Sequence, residues 1–229
     1  MNFNNEMYDR VKDMNRDELY RFLEDHPEHY SNYSSLWNYL PIEDEMRNIF
    51  KSAYDYYEID FKGKIVLDIG PGDGSSLDIA KERGASECHF IDRDGIITRW
   101  NEIKGHKKQF FDYQCRGGMA KALSMNERYD IVIARGSFNA DRWNRNEFNV
   151  DPDVVARWIT KISKGHAIVS PTWDRGEEVD GLYHCCHGKH FEDYKKSVFH
   201  LGFVDRGYSV DCVDGFNESV LRFPITYYK

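Results

Sequence analysis

The sequence predicts an α/β fold: a doubly wound, mostly parallel seven-stranded sheet with a C-terminal antiparallel β-hairpin, preceded by an N-terminal helical cap. Three observations carry this expectation. Beyond about residue 61, apolar runs of strand length alternate with segments of helical periodicity, the pattern of βαβ units. The run Ile65-Val66-Leu67-Asp68-Ile69 breaks into glycines at every second position and then into helix-starting residues. The last segment changes character, with two strand-like runs, Phe203 to Val213 and Ser219 to Tyr228, joined around Asp214-Gly215.

Taken in order, residues 1–60 are helical in pattern and form a cap, and residues 61–229 form the sheet domain. Asn15 and Glu18 make a capping box, after which Leu19, Phe22 and Leu23 recur at helical spacing until Pro27. The polar and aromatic stretch Tyr30 to Tyr39 separates this helix from one opened by Pro41, with Ile42, Met46, Ile49, Phe50, Ala53 and Tyr57 on its apolar face. Gly63 turns the chain into the first strand, and Gly84 stops the helix that follows the glycine loop. Cys88-His89-Phe90-Ile91 is the second strand. Ile96, Ile97, Trp100 and Ile103 mark the next helix, ended by Gly105, and Gln109-Phe110-Phe111 is a short third strand.

A short helix around Met119 to Leu123 precedes the fourth strand, Tyr129 to Ala134. After a polar loop, Asp151 caps a helix with Pro152 at its first position and Val155, Trp158, Ile159 and Ile162 inward. His166 to Ser170 is the fifth strand. An irregular stretch, Pro171 to Lys189, leads to a helix with Phe191, Tyr194, Val198 and Leu201 inward, which Gly202 is expected to end.

Composition narrows the function classes. A chain of 229 residues suits one domain with a small appendage, and we expect a monomer or homodimer. The net charge of −8 argues against a protein that tracks phosphates, so nucleic acid is not the expected partner. The five cysteines are odd in number and unevenly spread, which reads as reduced thiols rather than a disulfide framework. No signal peptide and no run of membrane-spanning length are visible, so we expect a cytoplasmic protein with no membrane partner.

The glycine stretch organises the chemistry. A strand, a glycine turn and a helix make a cradle in which backbone approaches a ligand closely and the first helical amides face it. The dinucleotide fingerprint G-x-G-x-x-G needs a third glycine where this chain has Ser75. An acid two positions before the first glycine, Asp68, suits a ligand bearing an ammonium group better than a pyrophosphate. The segment Asp68-Ile69-Gly70-Pro71-Gly72-Asp73-Gly74 resembles the first motif of the class I S-adenosylmethionine-dependent methyltransferases. That resemblance covers roughly residues 61–229 and implies that the loop faces the cofactor's methionine and ribose portions. It also implies a seventh strand lying antiparallel beside the fifth, which the terminal hairpin matches.

In open α/β sheets ligands bind beyond the carboxyl ends of the strands, so the strand ends are where chemistry is expected. Asp92 ends the second strand about twenty residues past Gly70, where a carboxylate accepts hydrogen bonds from ribose hydroxyls; Asp94 is its rival. The resemblance assigns the ribose role to Asp92 and an adenine contact to Asp112, with Tyr113 or Ile91 flanking the ring. The expected cofactor-binding set is therefore Asp68, Gly70, Pro71, Gly72, Gly74, Asp92, Asp112 and Arg135. The fourth strand end, Ala134 to Asn139, lacks the Asn/Asp-Pro-Pro-Tyr/Phe segment of the family's base-amino methylases. The chain also lacks a Pro-Cys nucleophile and the Asp-Asn pair of metal-dependent catechol-type enzymes.

Adjacent Cys185 and Cys186 fit the spacing of zinc ligands poorly, so no metal is expected. His184 and His187 in the same stretch are the candidate general bases. Tyr33, Trp37, Ser137, Asn139, Trp173 and Asp174 are the candidate acceptor contacts, and the aromatic segment around Trp37 serves as a lid or as a packing cap. The expected activity is transfer of a methyl group from S-adenosyl-L-methionine to an O or N atom of a small molecule or sugar unit, leaving S-adenosyl-L-homocysteine. The alternatives are an NAD(P)-dependent oxidoreductase, opposed by Ser75 and the terminal hairpin, and a non-catalytic methyltransferase-fold binding protein.

Overall fold

A computed structural model of the chain describes residues 3–26, 43–92, 95–111, 121–126, 128–135, 152–170, 178–179, 182–183, 197–211 and 225–229. The chain groups into two compact units, Met1–Tyr113 and Gln114–Lys229.

In the first unit α1 (Phe3–Val11) and α2 (Arg16–Asp25) form a short helical pair. The capping box expected at Asn15 is formed: its side chain accepts from the amides of Asp17 and Glu18, and Glu18 reaches back to the Asn15 amide at 2.8 Å. α3 (Glu43–Tyr56) is followed by β1 (Ile65–Ile69), α4 (Ser75–Glu82), β2 (Glu87–Asp92), α5 (Gly95–Ile103) and β3 (Lys107–Phe111). β1 pairs in parallel with β2, Ile65 opposite Glu87 through Ile69 opposite Ile91, and β2 pairs in parallel with β3.

Val66, Leu67 and Ile69 are fully buried, as a strand covered on both faces requires. The helical pair belongs to this unit through a shared core. Met7, Val11, Leu19 and Leu23 pack with Ile96, Ile97 and Trp100 of α5. The apolar stripe that periodicity marked on α5 is thus shared between the sheet and the N-terminal helices.

The second unit holds β4 (Ile131–Arg135), α6 (Pro152–Ile162), β5 (His166–Ser170), the short β6 (Glu178–Val179) and β7 (Leu182–Tyr183), α7 (Val198–Val204), β8 (Ser209–Asp211) and β9 (Ile225–Tyr228). β4 and β5 are parallel, and β9 runs antiparallel to both β5 and β8. The strands form a seven-stranded sheet in the order β3-β2-β1-β4-β5-β9-β8, the doubly wound α/β arrangement with an antiparallel end that the sequence predicts. Among the described residues no helix is long and apolar enough to cross a membrane.

Three local expectations are corrected. Gly202 does not stop a helix: it lies inside α7, where a Cβ would come within 2.8 Å of the Ala156 Cβ on α6. A side chain there would push the two helices apart, so this glycine serves close packing, and the chain turns instead at Gly207, with φ of 77°. The last hairpin consequently starts later than Phe203. Phe199 and Phe203 share one buried helical face, and the Phe203 ring stacks on Tyr227 at 4.1 Å, so Phe203 is helical core and β8 begins at Ser209. The stretch from Pro171 to Lys189 is not wholly irregular either, because β6 and β7 pair antiparallel, Glu178 opposite Tyr183 and Val179 opposite Leu182. Phe191 and Tyr194, and the residues of the Tyr30 to Pro41 stretch, lie outside the described residues.

Candidate functional site

The site is built where β1 and β2 end side by side. Asp68 is opposite Phe90 in the ladder, and the Gly70 amide extends the pairing by donating to the Ile91 carbonyl at 2.8 Å. That bond brings the start of the glycine loop next to Asp92, the last residue of β2. Asp68 and Asp92 are both buried, 2% and 5% exposed, so two carboxylates stand close to the loop in a largely dry place. The Ser76 hydroxyl, from the first turn of α4, donates to Asp68 Oδ2.

The loop is a succession of left-handed glycines: Gly70, Gly72 and Gly74 have φ of 75°, 58° and 80°. Any other L-residue in that conformation costs about 1–2 kcal/mol. The spacing of the glycines is therefore dictated by the backbone path. At Gly74 space is also lacking, since a Cβ would meet Asn101 Oδ1 at 2.4 Å. The Gly74 amide closes a turn on the Pro71 carbonyl at 3.0 Å, and Gly74 is the N-cap of α4.

Asp73, 2% exposed, turns its carboxylate onto Ser75, accepting from the backbone amide at 3.3 Å and from the hydroxyl. Burial pushes the Asp73 carboxyl above the usual range, against the pull of the Ser75 hydroxyl and the Lys104 ammonium. Ser75, where a dinucleotide site has its third glycine, is thus committed to the loop's own acid.

Behind the loop lies a set of donors that the sequence did not single out. Asn101 Nδ2 donates to the Gly72 carbonyl at 3.0 Å, Trp100 Nε1 to the Asp73 carbonyl at 3.1 Å, and Lys104 Nζ to the same Asp73 carbonyl at 2.7 Å. Lys104 also pairs with Asp78 at 2.8 Å and Glu43 at 2.9 Å, and His106 meets the other Asp78 oxygen at 3.0 Å. Burial opposes the ionisation of Asp78, but the His106 and Lys104 contacts overcome it and hold its carboxyl below the usual range. A signal for Asn101 was present: it is a polar residue four positions after Ile97, on a helical stripe that is otherwise apolar.

The first unit therefore brings together Asp68, Gly70, Pro71, Gly72, Gly74 and Asp92 of the residues expected at the site. Arg135 ends β4, its backbone paired with Ser170. Asp94, Asp112, Tyr113, Tyr33, Trp37, Ser137, Asn139, Trp173, Asp174, His184 and His187 lie outside the described residues.

The strand order, the antiparallel β9 beside β5 and the glycine loop after β1 define the fold of the class I S-adenosylmethionine-dependent methyltransferases, and this chain has that fold. Magnesium protoporphyrin IX methyltransferase (ChlM) from Synechocystis PCC 6803, solved with bound S-adenosylhomocysteine, is similar over 80% of this chain and 83% of its own, at 12% identity and a TM-score of 0.50. Streptomyces venezuelae DesVI is similar over 89% of this chain and 98% of its own, at 11% identity and a TM-score of 0.54. No protein-family model and no curated protein matches the sequence.

Proposed function

We propose that this chain is a methyltransferase that binds S-adenosyl-L-methionine at the glycine loop and passes its methyl group to an O or N atom of a small molecule or sugar unit. The observation that carries the reading is the pair of buried acids, Asp68 and Asp92, at neighbouring strand tips flanking three left-handed glycines. The donor chemistry fits: carboxylates accept hydrogen bonds from an ammonium group and from vicinal hydroxyls, the polar ends of such a cofactor. Solved with its product bound, the Synechocystis neighbour of the same fold supports that choice of ligand.

When bound, the cofactor supplies an electrophilic methyl on a sulfonium, whose S–C bond breaks as the acceptor's lone pair takes the carbon, leaving S-adenosyl-L-homocysteine. What the chain contributes is alignment and exclusion of water. Holding two reactants in near-attack geometry is worth about 7–11 kcal/mol at best. Asp92 holds the ribose hydroxyls, Asp68 orients the loop side of the ligand, and Gly70 and Gly72 let backbone lie against it.

Asp112 and Arg135 complete the cofactor set. Tyr33, Trp37, Ser137, Asn139, Trp173 and Asp174 contact the acceptor, and His184 or His187 takes the proton of a hydroxyl acceptor. The net charge of −8 favours such an acceptor over a polynucleotide. Against a nicotinamide cofactor stand the side chain at Ser75, tied to Asp73, and the antiparallel β9.

Calorimetric titration with S-adenosyl-L-homocysteine and with NAD tests this. The homocysteine product is expected to bind and NAD is not, and Asp92→Ala is expected to weaken binding more than Asp94→Ala. Heat with NAD alone, or equal losses in the two variants, would overturn the assignment. Transfer of a labelled methyl group to a panel of hydroxyl and amine acceptors then separates an enzyme from a binding protein.

A further inference from the structure

We propose that Trp100, Asn101 and Lys104 are positioning residues for the methyl-donor loop, and that α1 and α2 act as a brace which holds them in place. The inference rests on the reading of the glycine loop as the donor site and goes beyond it by naming what sets the loop's shape.

Three chemically different donors, an amide, an indole and an ammonium, converge on two successive carbonyls, those of Gly72 and Asp73. A trans peptide that turns its carbonyl one way turns its N–H the other way. Asn101, by drawing the Gly72 carbonyl toward α5, directs the Asp73 amide away from α5, the side left for a ligand. Glycines give the loop many alternative conformations, so a fixed set of donors behind it selects one of them and lowers the ordering cost of binding.

These donors are themselves held from the N-terminal side. Trp100, 1% exposed, meets the edge of Tyr20 at 5.3 Å and carries the Arg16 guanidinium 5.1 Å from its ring. Its neighbours on α5 are tied down as well: Arg99 Nε donates to the Met14 carbonyl at 2.8 Å, and the Tyr8 hydroxyl donates to the Glu102 carboxylate at 2.9 Å. Lys104 commits its three ammonium protons to Asp73, Asp78 and Glu43, which links α3 and α4 to the same carbonyl. A continuous path of contacts therefore runs from α1 and α2 through Trp100 to the loop.

The test compares affinity with stability. The full-length chain and the variants Trp100→Phe, Asn101→Leu, Lys104→Met, Lys104→Arg and Tyr20→Ala are titrated with S-adenosyl-L-homocysteine, and their thermal midpoints are recorded. Phe203→Leu, a core change in the other unit, supplies a protein of lowered midpoint with the loop untouched. Trp100→Phe and Asn101→Leu are expected to raise Kd on the order of tenfold, the effect of losing one or two net hydrogen bonds. Tyr20→Ala is expected to raise it severalfold, Lys104→Arg to rescue what Lys104→Met loses, and Phe203→Leu to leave Kd unchanged.

Binding by the parent chain together with loop variants within twofold of it would refute the positioning role while leaving the donor site standing. No binding by the parent chain would refute the donor-site reading itself, and the present proposal with it. Should a variant not fold, hydrogen exchange at the Gly74 amide, which donates to the Pro71 carbonyl in the loop's own turn, decides in the parent chain. Protection already present without ligand supports a preset loop, and protection gained only on binding refutes it.

Discussion

Replacing Gly74 by alanine tests the loop's architecture more sharply than any change of charge. The residue has φ of 80°, so an L side chain there costs about 1–2 kcal/mol in backbone energy. The new Cβ would also lie 2.4 Å from Asn101 Oδ1, well inside van der Waals contact, so the Asn101 amide must move. Moving it endangers two hydrogen bonds, to Gly72 and to Ile97, both at 3.0 Å and each worth about 0.5–1.5 kcal/mol net. The unfolded chain loses freedom with alanine, which offsets about 0.4–1 kcal/mol. The sum is a loss of about 1–4.5 kcal/mol.

The two contributions separate in a double-mutant cycle. In an Asn101→Ala background the clash is absent, and Gly74→Ala is left with its backbone cost alone. The cycle is therefore expected to show a coupling of about 1–3 kcal/mol. Urea unfolding followed by circular dichroism gives the four stabilities, and hydrogen exchange at the β1 amides reports the same unit directly. Additive losses would refute the reasoning, since they would mean that Gly74 and Asn101 do not feel each other.

Other expectations rest on separate features. Gly202→Ala is expected to lower the thermal midpoint, because overpacking against Ala156 costs about 1–3 kcal/mol and outweighs the roughly 1 kcal/mol gained in helix propensity. Adding Ala156→Gly should recover part of the loss, and a raised midpoint in the single variant would count against the packing role. Asn15→Ala should cost α2 about 1 kcal/mol through the lost cap, seen as faster amide exchange at Asp17 and Glu18. The Glu87 carboxyl, bonded first by Lys107 and then by His89, is held down at about 2. Its depressed value stabilises the fold fully above the ordinary value near 4.5, and the effect fades as pH falls from there through about 2. Lys107→Gln is expected to move that titration upward in carbon-detected NMR, and an unmoved titration would exclude the Lys107 contact as its main cause. Burial pushes the Cys88 thiol up to about 11, so alkylation at neutral pH should be slow in the native chain and fast in urea, as site-resolved mass spectrometry would read.

Much of the fold was legible because its signals are local. Buried strands written as Ile65 to Ile69 and His166 to Ser170, the Asn15–Glu18 box and the stops at Gly84 and Gly105 each act within a few residues. Gly202 was misread for a physical reason: a glycine in sequence looks the same whether it turns the chain or lets two helices touch, and only the Ala156 methyl opposite it decides. Phe203 was likewise open to either a strand or a helix until Tyr227 supplied its stacking partner. At the site, Asp68, the loop glycines and Asp92 were readable from strand ends. Asn101 showed only as a polar break in an apolar stripe, and the partners of Asn101 and Lys104 were not legible, because they are backbone carbonyls about thirty residues away, which no side-chain pattern encodes.

The position of β9 between β5 and β8 has a bearing on how the protein is made. Among the described residues β8 meets the sheet through β9, which follows it in chain order. During vectorial synthesis on the ribosome, the outer edge of β5 thus lacks its β9 partner until Ile225 to Tyr228 emerge, and β8 lacks its strand partner for as long. An unpaired edge is a template for wrong partners. Nascent chains arrested a few residues short of Ile225 are the ones that holdase chaperones would be called on to shield.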